Sequence, residues 1–309
     1  MTLLNRLEVV GRATGRNASA WRLAGLAGVL GVLAIVCVNL AISAMEPPAE
    51  AASPQSLPRP KGGSLLICGG GKLSDLIRDR FVQLAGGSDA KIVFIPTALR
   101  DANRPRFTLN LDAWKNQHVA SIRILHTLSR ATANDPAFVK PLAEATGVWL
   151  CGGNQNVLTE VYADTEVERQ LKGLLDRGGT IGGTSAGASA MTRVMIAGGR
   201  DRAQTGRGFD LLPGAVVDQH FLRRNRVSRL VDVLSDHPDL VGFGIDEGTA
   251  LWIDLKARRL SVLGDSYVFA YVPAASNRPE RFEIMKAGDE ANLSALQGSG
   301  NAVVSRIDL

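Results

Sequence analysis

Several residue types and motifs that mark common protein classes are scarce in this sequence or missing from it. Three cysteines and four histidines among 309 residues leave no His, Cys or carboxylate group at the spacing of a metal site. The glycine-rich segments contain no G-x-G-x-x-G and no lysine at the position that a P-loop requires. We therefore expect neither a metal ion nor a cofactor in this protein.

A concentrated positive charge is also missing from most of the chain. The net charge is +5 at pH 7. Four arginines and a single acid, Glu8, lie within residues 1–45, so three of these five charges belong to the N-terminal segment. A nucleic-acid partner would require a concentrated basic face. The nearly balanced remainder of the chain argues against a nucleic-acid-binding protein.

The N-terminal segment has the order of a secretory signal. Arginine-rich residues precede the apolar run Leu23–Val38, and the small-residue stretch Leu40–Met45 follows it. Residues 1–45 are predicted to be a cleaved signal peptide or an uncleaved membrane anchor, because residues 23–44 approach the length that spans a bilayer. Both alternatives predict an exported protein, either periplasmic or extracellular.

Residues 46–63 are rich in proline, alanine and serine and predict a linker with nothing to bury. Residues 64–309 then form one predicted domain. Export places Cys68 and Cys151 in a compartment that permits disulfides. Each cysteine ends an apolar run and precedes a glycine pair. Two interpretations stay open, a disulfide between neighbouring strands or two buried free thiols.

Short apolar runs alternate with segments of helical periodicity in the first part of this domain. The runs of strand length are Ser64–Cys68, Lys91–Ile95, Ser121–Leu125, Gly147–Cys151 and Gly179–Thr184. Helical spacing occurs in Leu73–Leu84, Ala137–Ala145 and Thr165–Arg177. This alternation predicts an α/β fold with a mostly parallel sheet that is covered by helices on both faces.

The alternation of strand-like and helical segments ends at about residue 240. Four strand-like runs follow one another with short connections: Val241–Asp246, Ala250–Asp254, Leu260–Gly264 and Tyr267–Val272. Closely spaced strands of this kind pair most easily as antiparallel neighbours. We expect them to add antiparallel C-terminal strands to the edge of the sheet.

The strongest local signal is Gly183-x-Ser185-x-Gly187, which follows a predicted strand and precedes a segment that can start a helix. A nucleophile elbow requires this context, because flanking glycines let the chain turn sharply and expose the hydroxyl. The helix N-terminus favours developing negative charge. The alternative is a phosphate cradle, which the missing P-loop lysine makes less favourable. Ser185 is therefore predicted to be a nucleophile.

A serine nucleophile needs a base and an acid that orients the base. The histidines are His118, His126, His220 and His237. His220 follows an apolar strand, and strand ends are where α/β folds place catalytic groups. Asp246 and Glu247 follow another apolar strand. Because these two acids are consecutive, only one of them can face a given side.

Three motifs in this order resemble the cyanophycinases, serine peptidases related to the aspartyl dipeptidases. The motifs are Gly182–Ala188, Asp218–Phe221 and Gly244–Ala250. The resemblance extends over about residues 62–275. It implies a fold like that of a class I glutamine amidotransferase domain, a serine peptidase activity without cofactors, and a homodimer.

The resemblance also implies a role for particular residues. The catalytic set is Ser185 as nucleophile, His220 as base and Glu247 as orienting acid. The substrate-binding set is Gln155, Gln219, Arg224 and Arg229. Backbone N–H groups near Gly153 and Ala186 would form the oxyanion hole.

Cyanophycin is a polyaspartate chain whose β-carboxyls carry arginine in amide linkage, so each repeat keeps a free α-carboxylate. A guanidinium binds such a carboxylate through two parallel hydrogen bonds. The alternative for the arginines of Phe221–Leu234 is a helix that faces water. One departure from the family is Gly69–Ser74, which reads Gly-Gly-Gly-Lys-Leu-Ser where many cyanophycinases carry a Gly-Gly-Ala-Glu-Asp type of segment.

The resemblance thus predicts an exported serine peptidase that hydrolyses cyanophycin to β-Asp-Arg dipeptides through an acyl-enzyme. Three alternatives stay open at this point. The protein could be an aspartyl dipeptidase, or a hydrolase for another isopeptide. The third alternative is a non-catalytic envelope binding protein with the same fold.

Overall fold

The structure is a computed structural model that describes residues 62–104, 109–200, 202–274, 279–298 and 305–306. The signal segment predicted for residues 1–45 and most of the predicted linker lie outside these residues. Within the described part of the chain, no helix has the length and apolar character needed to cross a membrane.

Strands and helices alternate up to residue 184. The strands are β1 (Ser64–Cys68), β2 (Lys91–Ile95), β3 (Ser121–Ile124), β4 (Gly147–Leu150) and β5 (Thr180–Thr184). The helices are α1 (Asp75–Leu84), α2 (Arg130–Ala133), α3 (Pro136–Glu144), α4 (Gln155–Tyr162) and α5 (Glu166–Asp176).

Strands dominate the second part. Its helices are α6 (Ala186–Ser189), α7 (Val227–Asp236) and α8 (Leu293–Gln297). Its strands are β6 (Val194–Gly198), β7 (Gln204–Arg207), β8 (Ala215–Gln219), β9 (Val241–Ile245), β10 (Thr249–Asp254), β11 (Arg259–Gly264), β12 (Tyr267–Val272), β13 (Arg281–Lys286), β14 (Asp289–Asn292) and β15 (Ser305–Arg306).

The main sheet has the strand order β15-β14-β11-β10-β1-β5-β4-β2-β3. The five neighbouring strands β1, β5, β4, β2 and β3 pair in parallel. The strands β10, β11, β14 and β15 add to the sheet as antiparallel neighbours. The prediction of an α/β fold with a parallel sheet and antiparallel C-terminal strands is confirmed.

The apolar character of β1 explains why helices cover both faces of this sheet. Leu65 and Ile67 pack with residues of α3, α4 and α5 on one face. Leu66 and Cys68 pack with α1 on the other face, in a separate apolar cluster. Successive side chains of a strand point to opposite faces, so a run that is apolar throughout needs cover on both.

Two of the four late strands do not join the main sheet as predicted. β9 and β12, which correspond to the runs starting at Val241 and Tyr267, belong to a second sheet of order β13-β12-β9-β8. In that sheet β8 and β9 pair in parallel, connected through α7. A parallel pair requires such a crossover connection. The sequence shows that a run is a strand, whereas its partner depends on contacts that are distant in the chain.

Cys68 and Cys151 are buried free thiols. The interpretation as free thiols is therefore confirmed, and the alternative of a disulfide is wrong. Burial raises the pKa of both thiols, to about 12 for Cys151. A thiol with so high a pKa carries almost no thiolate at neutral pH, so neither cysteine is suited to be a nucleophile.

Candidate active site

Three strand ends bring polar side chains together. Ser185 directly follows β5, His220 directly follows β8, and Glu247 comes two residues after β9. Ser185 has φ 52° and ψ −110°, and His220 has φ 51°. These left-handed values are uncommon for residues with a side chain, and they persist only where the surrounding structure enforces them. Both residues sit on sharp reversals of the chain.

The elbow around Ser185 depends on a very close approach of the chain after it. A Cβ on Gly187 would lie 2.2 Å from the carbonyl oxygen of Leu150 in β4. Only glycine fits there, and this explains the last glycine of the Gly-x-Ser-x-Gly motif. Ser185 is half-buried at the carboxyl end of the parallel strands, as the sequence predicts.

Ser185, His220 and Glu247 form a continuous chain of hydrogen bonds. Ser185 Oγ lies 2.8 Å from His220 Nε2. On the other side of the ring, His220 Nδ1 lies 2.5 Å from Glu247 Oε1. A carboxylate at Nδ1 holds the proton there, so that Nε2 is free to accept the hydroxyl proton. The arrangement is that of a nucleophile, its base and an orienting acid.

Asp246 and Glu247 have different partners, which decides between the two candidate acids. Asp246 Oδ1 accepts a hydrogen bond from Arg223 N at 2.9 Å, and its Oδ2 accepts one from Ser266 Oγ at 2.8 Å. Asp246 therefore fixes the backbone after His220, whereas Glu247 contacts the imidazole.

The His126 ring has other partners than Ser185, because its nitrogens lie 2.9 Å from Thr97 Oγ1 and 3.2 Å from Asn103 Oδ1.

Burial lowers the pKa of His220 below the ordinary value of an imidazole. The hydrogen bond that His220 donates to Glu247 raises the pKa and so acts in the opposite direction, whereas the positive charges of Arg224 and Arg226 lower the pKa further. The imidazole is therefore neutral at neutral pH. A neutral imidazole can take the proton of Ser185, so its protonation state suits a general base.

The loop after β4 lies beside the serine. A Cβ on Gly152 would be 3.5 Å from Ser185 Cβ. The loop is fixed by Asn154 N, which donates to the carbonyl oxygen of Ala98 at 2.8 Å. Among the described residues, the N–H groups of Gly153 and Ala186 have no hydrogen-bond partner. Their assignment to the oxyanion hole stays a prediction.

The two glutamines predicted to contact substrate have different surroundings. Gln219 Oε1 lies 3.5 Å from Ser185 Oγ, so this residue is part of the same cluster. Gln155 directs its amide nitrogen to β6, where it donates to the carbonyl oxygens of Ile196 and Ala197, each at 2.9 Å. Among the described residues, no group of three or more His, Cys, Asp or Glu side chains could hold a metal ion.

Residues 65–260 match the family model of peptidase family S51. The chain belongs to this family. The prediction of the family is confirmed. Ser185, His220 and Glu247, which the hydrogen bonds connect, all lie within the matched residues.

Several relatives carry the name cyanophycinase. The protein from Synechococcus elongatus is 36% identical over 215 residues, which cover 65% of this chain and 66% of that one. The protein from Geminocystis herdmanii is 33% identical over 218 residues, which cover 66% of this chain and 79% of that one. The match thus spans slightly under two thirds of the length of the first of these relatives.

A solved structure of a peptidase from an acI-B1 Actinobacterium superimposes with a TM-score of 0.56. Its sequence is 23% identical, and the match covers 74% of this chain and 96% of that one. This similarity shows that the two proteins share a fold.

Arg229 of this S51 peptidase is buried in an ion pair. Its Nε donates to Asp218 Oδ2 at 2.8 Å, its Nη2 contacts the other oxygen of the same carboxylate, and its Nη1 donates to the carbonyl oxygen of Gly199 at 2.6 Å. Only 2% of Arg229 is exposed, so no face of it remains for a substrate. The guanidinium that was predicted to bind a substrate carboxylate instead binds Asp218.

Arg224 is exposed, as a substrate-binding residue requires. Its backbone N–H donates to the carbonyl oxygen of His220 at 3.0 Å, so its side chain starts next to the base. Within the described part of the chain, its guanidinium has no ion-pair partner. Of the two predicted arginines, Arg224 is therefore the one that a substrate can reach.

Arg226 was not predicted to be part of the site. Its Nη1 donates to the carbonyl oxygen of Gln219 at 2.6 Å and to Gln219 Oε1 at 3.1 Å. One interpretation of the sequence is a helix over Phe221–Leu234 whose arginines face water, but α7 begins at Val227. Burial lowers the pKa of Arg226 to about 10, although Asp218 partly offsets this effect. The guanidinium stays charged at neutral pH and is poorly solvated.

The buried ion pair yields a prediction about stability. Arg229→Ala leaves the buried Asp218 with only the longer contact to Arg226 Nη1, at 3.4 Å, so the variant should lose up to about 3–5 kcal/mol of unfolding free energy. Arg224→Ala removes an exposed charge and should change stability by less than about 0.5 kcal/mol. Urea unfolding of both variants measures the difference. Equal effects would contradict the assignment of Arg229 to the interior.

The pKa of His220 yields a prediction about pH. The base is active only when it is deprotonated, so kcat/KM should rise with pH through a pKa below the ordinary value of about 6.5. Glu247→Gln removes an interaction that raises this pKa, so the acid limb should move to lower pH.

The same Glu247→Gln variant should lose activity on the order of a thousandfold or more, because the ring is no longer held in the correct tautomer. Both effects can be measured as kcat/KM against pH on a small activated ester. An acid limb that stays in place in this variant would show that Glu247 does not act on His220.

Proposed function

We propose that this protein is an exported serine peptidase that hydrolyses cyanophycin and releases β-Asp-Arg dipeptides. The observation that carries the proposal is the hydrogen-bonded chain from Ser185 through His220 to Glu247 in a member of peptidase family S51. Relatives named cyanophycinase at 33–36% identity support the choice of substrate.

The chemistry starts with the attack of Ser185 Oγ on the carbonyl carbon of a backbone peptide bond between two aspartyl residues, because the released β-Asp-Arg dipeptide keeps its side-chain amide, while His220 Nε2 takes the hydroxyl proton. The N–H groups of Gly153 and Ala186 stabilise the negative oxygen of the tetrahedral intermediate. His220 then returns the proton to the leaving amine, and an acyl-enzyme forms on Ser185. A water molecule, deprotonated by His220, hydrolyses this ester in the second half of the reaction.

The cations near Ser185 support a substrate that carries carboxylates. Arg224 is exposed beside the base, and Arg226 is half-buried against Gln219. A guanidinium that has lost part of its hydration gains more from a carboxylate than a fully hydrated one does. The free α-carboxylates of the arginines that are attached to the polyaspartate chain are suitable ligands for both residues.

A hydrolase for another aspartyl peptide or isopeptide is the second candidate. Its support is the loop Gly69–Ser74, where the exposed Lys72 stands in a segment that is acidic in many cyanophycinases. A purified aspartyl dipeptidase would cleave short aspartyl peptides and leave the insoluble polymer intact. Comparing the two substrates separates the candidates.

Export and assembly stay predictions. Residues 1–45 lie outside the described part of the chain, so the choice between signal peptide and anchor rests on the sequence. N-terminal sequencing of the protein from a secreting host reads the cleavage site directly. The predicted homodimer can be measured by light scattering on the purified protein.

Replacing the nucleophile is the direct test of the proposed mechanism. Ser185→Ala should reduce dipeptide release from cyanophycin on the order of a thousandfold or more, because the covalent step is lost. Ser189→Ala is a matched control, since Ser189 lies one turn later in α6 and is fully buried. The control should keep most of its activity. A Ser185→Ala variant with a tenth of the normal turnover would remove this residue from its role.

Replacing Arg224 tests the carboxylate-bearing substrate. Arg224→Ala should cost about 1.5–3 kcal/mol in kcat/KM on cyanophycin, the range for hydrogen bonds to charged groups. Arg224→Lys keeps the charge but loses the planar fork, so part of the cost should remain. A small activated ester needs only the nucleophile and the oxyanion hole and should react nearly as before.

The control for this comparison is Arg123→Ala, since Arg123 is exposed on the edge strand β3. It should leave the rates on both substrates unchanged. Equal losses on polymer and ester in the Arg224 variants would indicate damage to the fold rather than the loss of a substrate contact.

A further inference from the structure

Three consecutive carbonyl groups, starting with the last residue of β1, accept hydrogen bonds from the three turns that carry the triad. The carbonyl oxygen of Cys68 accepts from Ser185 N at 3.0 Å, and that of Gly69 accepts from His220 N at 2.7 Å. The carbonyl oxygen of Gly70 accepts from Gly248 N, directly after Glu247, at 2.9 Å. We call residues 68–71 the clamp segment. It fixes the backbone of all three catalytic residues relative to one another.

The clamp segment also lies directly against the side chains of the base and the acid. A Cβ on Gly70 would be 2.3 Å from His220 Cε1 and 2.6 Å from His220 Nε2. A Cβ on Gly71 would be 2.8 Å from Glu247 Cβ and 3.1 Å from Glu247 Oε2. The imidazole and the carboxylate therefore pack directly against the backbone of Gly70 and Gly71, and neither glycine has room for a methyl group.

The conformation of these two glycines also requires the absence of a side chain. Gly70 has φ 105° and Gly71 has φ 70°, values that residues with a side chain rarely adopt. In this conformation the carbonyl groups of residues 68–70 accept hydrogen bonds from the three turns. The same backbone thus supplies the hydrogen bonds and the flat surface beneath the ring.

We propose that Gly70 is a positioning residue for the hydrolysis reaction, because its bare backbone sets the distance between the His220 imidazole and Ser185 Oγ. The proposal rests on the triad of the proposed function. A methyl group at residue 70 overlaps the ring and must push it away from the serine. A displacement of about 1 Å in a catalytic group can cost about a hundredfold in rate.

The first experiment compares Gly70→Ala with two matched controls. Gly87 and Gly178 also have positive φ, at 61° and 86°, but a Cβ on either would meet no atom within 4 Å. All three Ala variants experience the same kind of backbone strain, and only Gly70→Ala contacts the base. Gly70→Ala should lose about a hundredfold in kcat with KM changed less than about twofold, and the controls should keep their kcat.

The second experiment asks whether the loss passes through the histidine. With a small activated ester as substrate, Gly70→Ala should lower the rate strongly when His220 is present. In a His220→Ala background, the same substitution should lower the rate no further. Non-additivity of this kind identifies two residues that act as a unit. A purely structural effect of the methyl group would instead reduce the rate by the same factor in both backgrounds.

Gly71→Ala provides an independent test if Gly70→Ala yields too little folded protein. Its methyl group displaces the Glu247 carboxylate, whose hydrogen bond raises the pKa of His220. The acid limb of the pH profile should therefore move to lower pH, which a general loss of stability would not cause. An unchanged limb together with normal kcat would overturn the proposal.

These outcomes are distinct from a failure of the proposed function. If Ser185→Ala and His220→Ala keep their activity, the triad itself is wrong. If both lose activity while Gly70→Ala keeps more than about a third of kcat, the triad stands and the role of Gly70 is wrong. The role of Gly70 is also wrong if Gly178→Ala loses as much kcat as Gly70→Ala does.

Discussion

The active site depends on one constraint, the three hydrogen bonds from the triad turns to the clamp segment at the end of β1. Ser185 follows a strand of the main sheet, whereas His220 and Glu247 follow strands of the second sheet. Two separately hydrogen-bonded sheets need a connection if their strand ends are to stay within hydrogen-bond distance of each other. β1 is suited to provide it, because β5 and β10 hold it on both sides in the middle of the main sheet. The backbone that leaves β1 is thus well fixed where it meets the base.

A buried ion pair also helps to hold His220 in place. The Asp218–Arg229 pair lies inside the protein, and the strand residue Asp218 comes two positions before the base. The pair therefore ties β8 to α7 beneath His220. Next to this pair, Arg226 contacts Gln219, which lies close to Ser185. The arginines after His220 thus differ in burial: Arg229 is buried in the ion pair, Arg226 is half-buried beside the site, and Arg224 is exposed.

Much of the site could be predicted because the triad residues lie at the ends of apolar runs. Gly183-x-Ser185-x-Gly187 has a local meaning, since a sharp strand-to-helix turn requires these glycines whatever surrounds them. His220 and Glu247 were identified through motifs in a fixed order. The roles of the arginines were harder to predict, because an arginine has the same sequence signal in a buried ion pair as at a surface. The start of α7 decides their depth, and the expected helix began six residues too early.

The sequence by itself determined the elements, the parallel half of the main sheet and the positions of Ser185 and His220 at strand ends, because periodicity and turn chemistry act over a few residues. The residue pattern left open the choice between Asp246 and Glu247, which only the family resemblance assigned to Glu247, as well as the state of the cysteines and the partners of β9 and β12. Those were decided only in the tertiary structure, where Glu247 rather than Asp246 faces the imidazole and the glycines of the clamp segment lie under the catalytic side chains. The physical reason is that such contacts join residues that are separated in the chain, from 27 positions for His220 and Glu247 to 150 for Gly70 and His220, and no local pattern encodes which strand ends will meet.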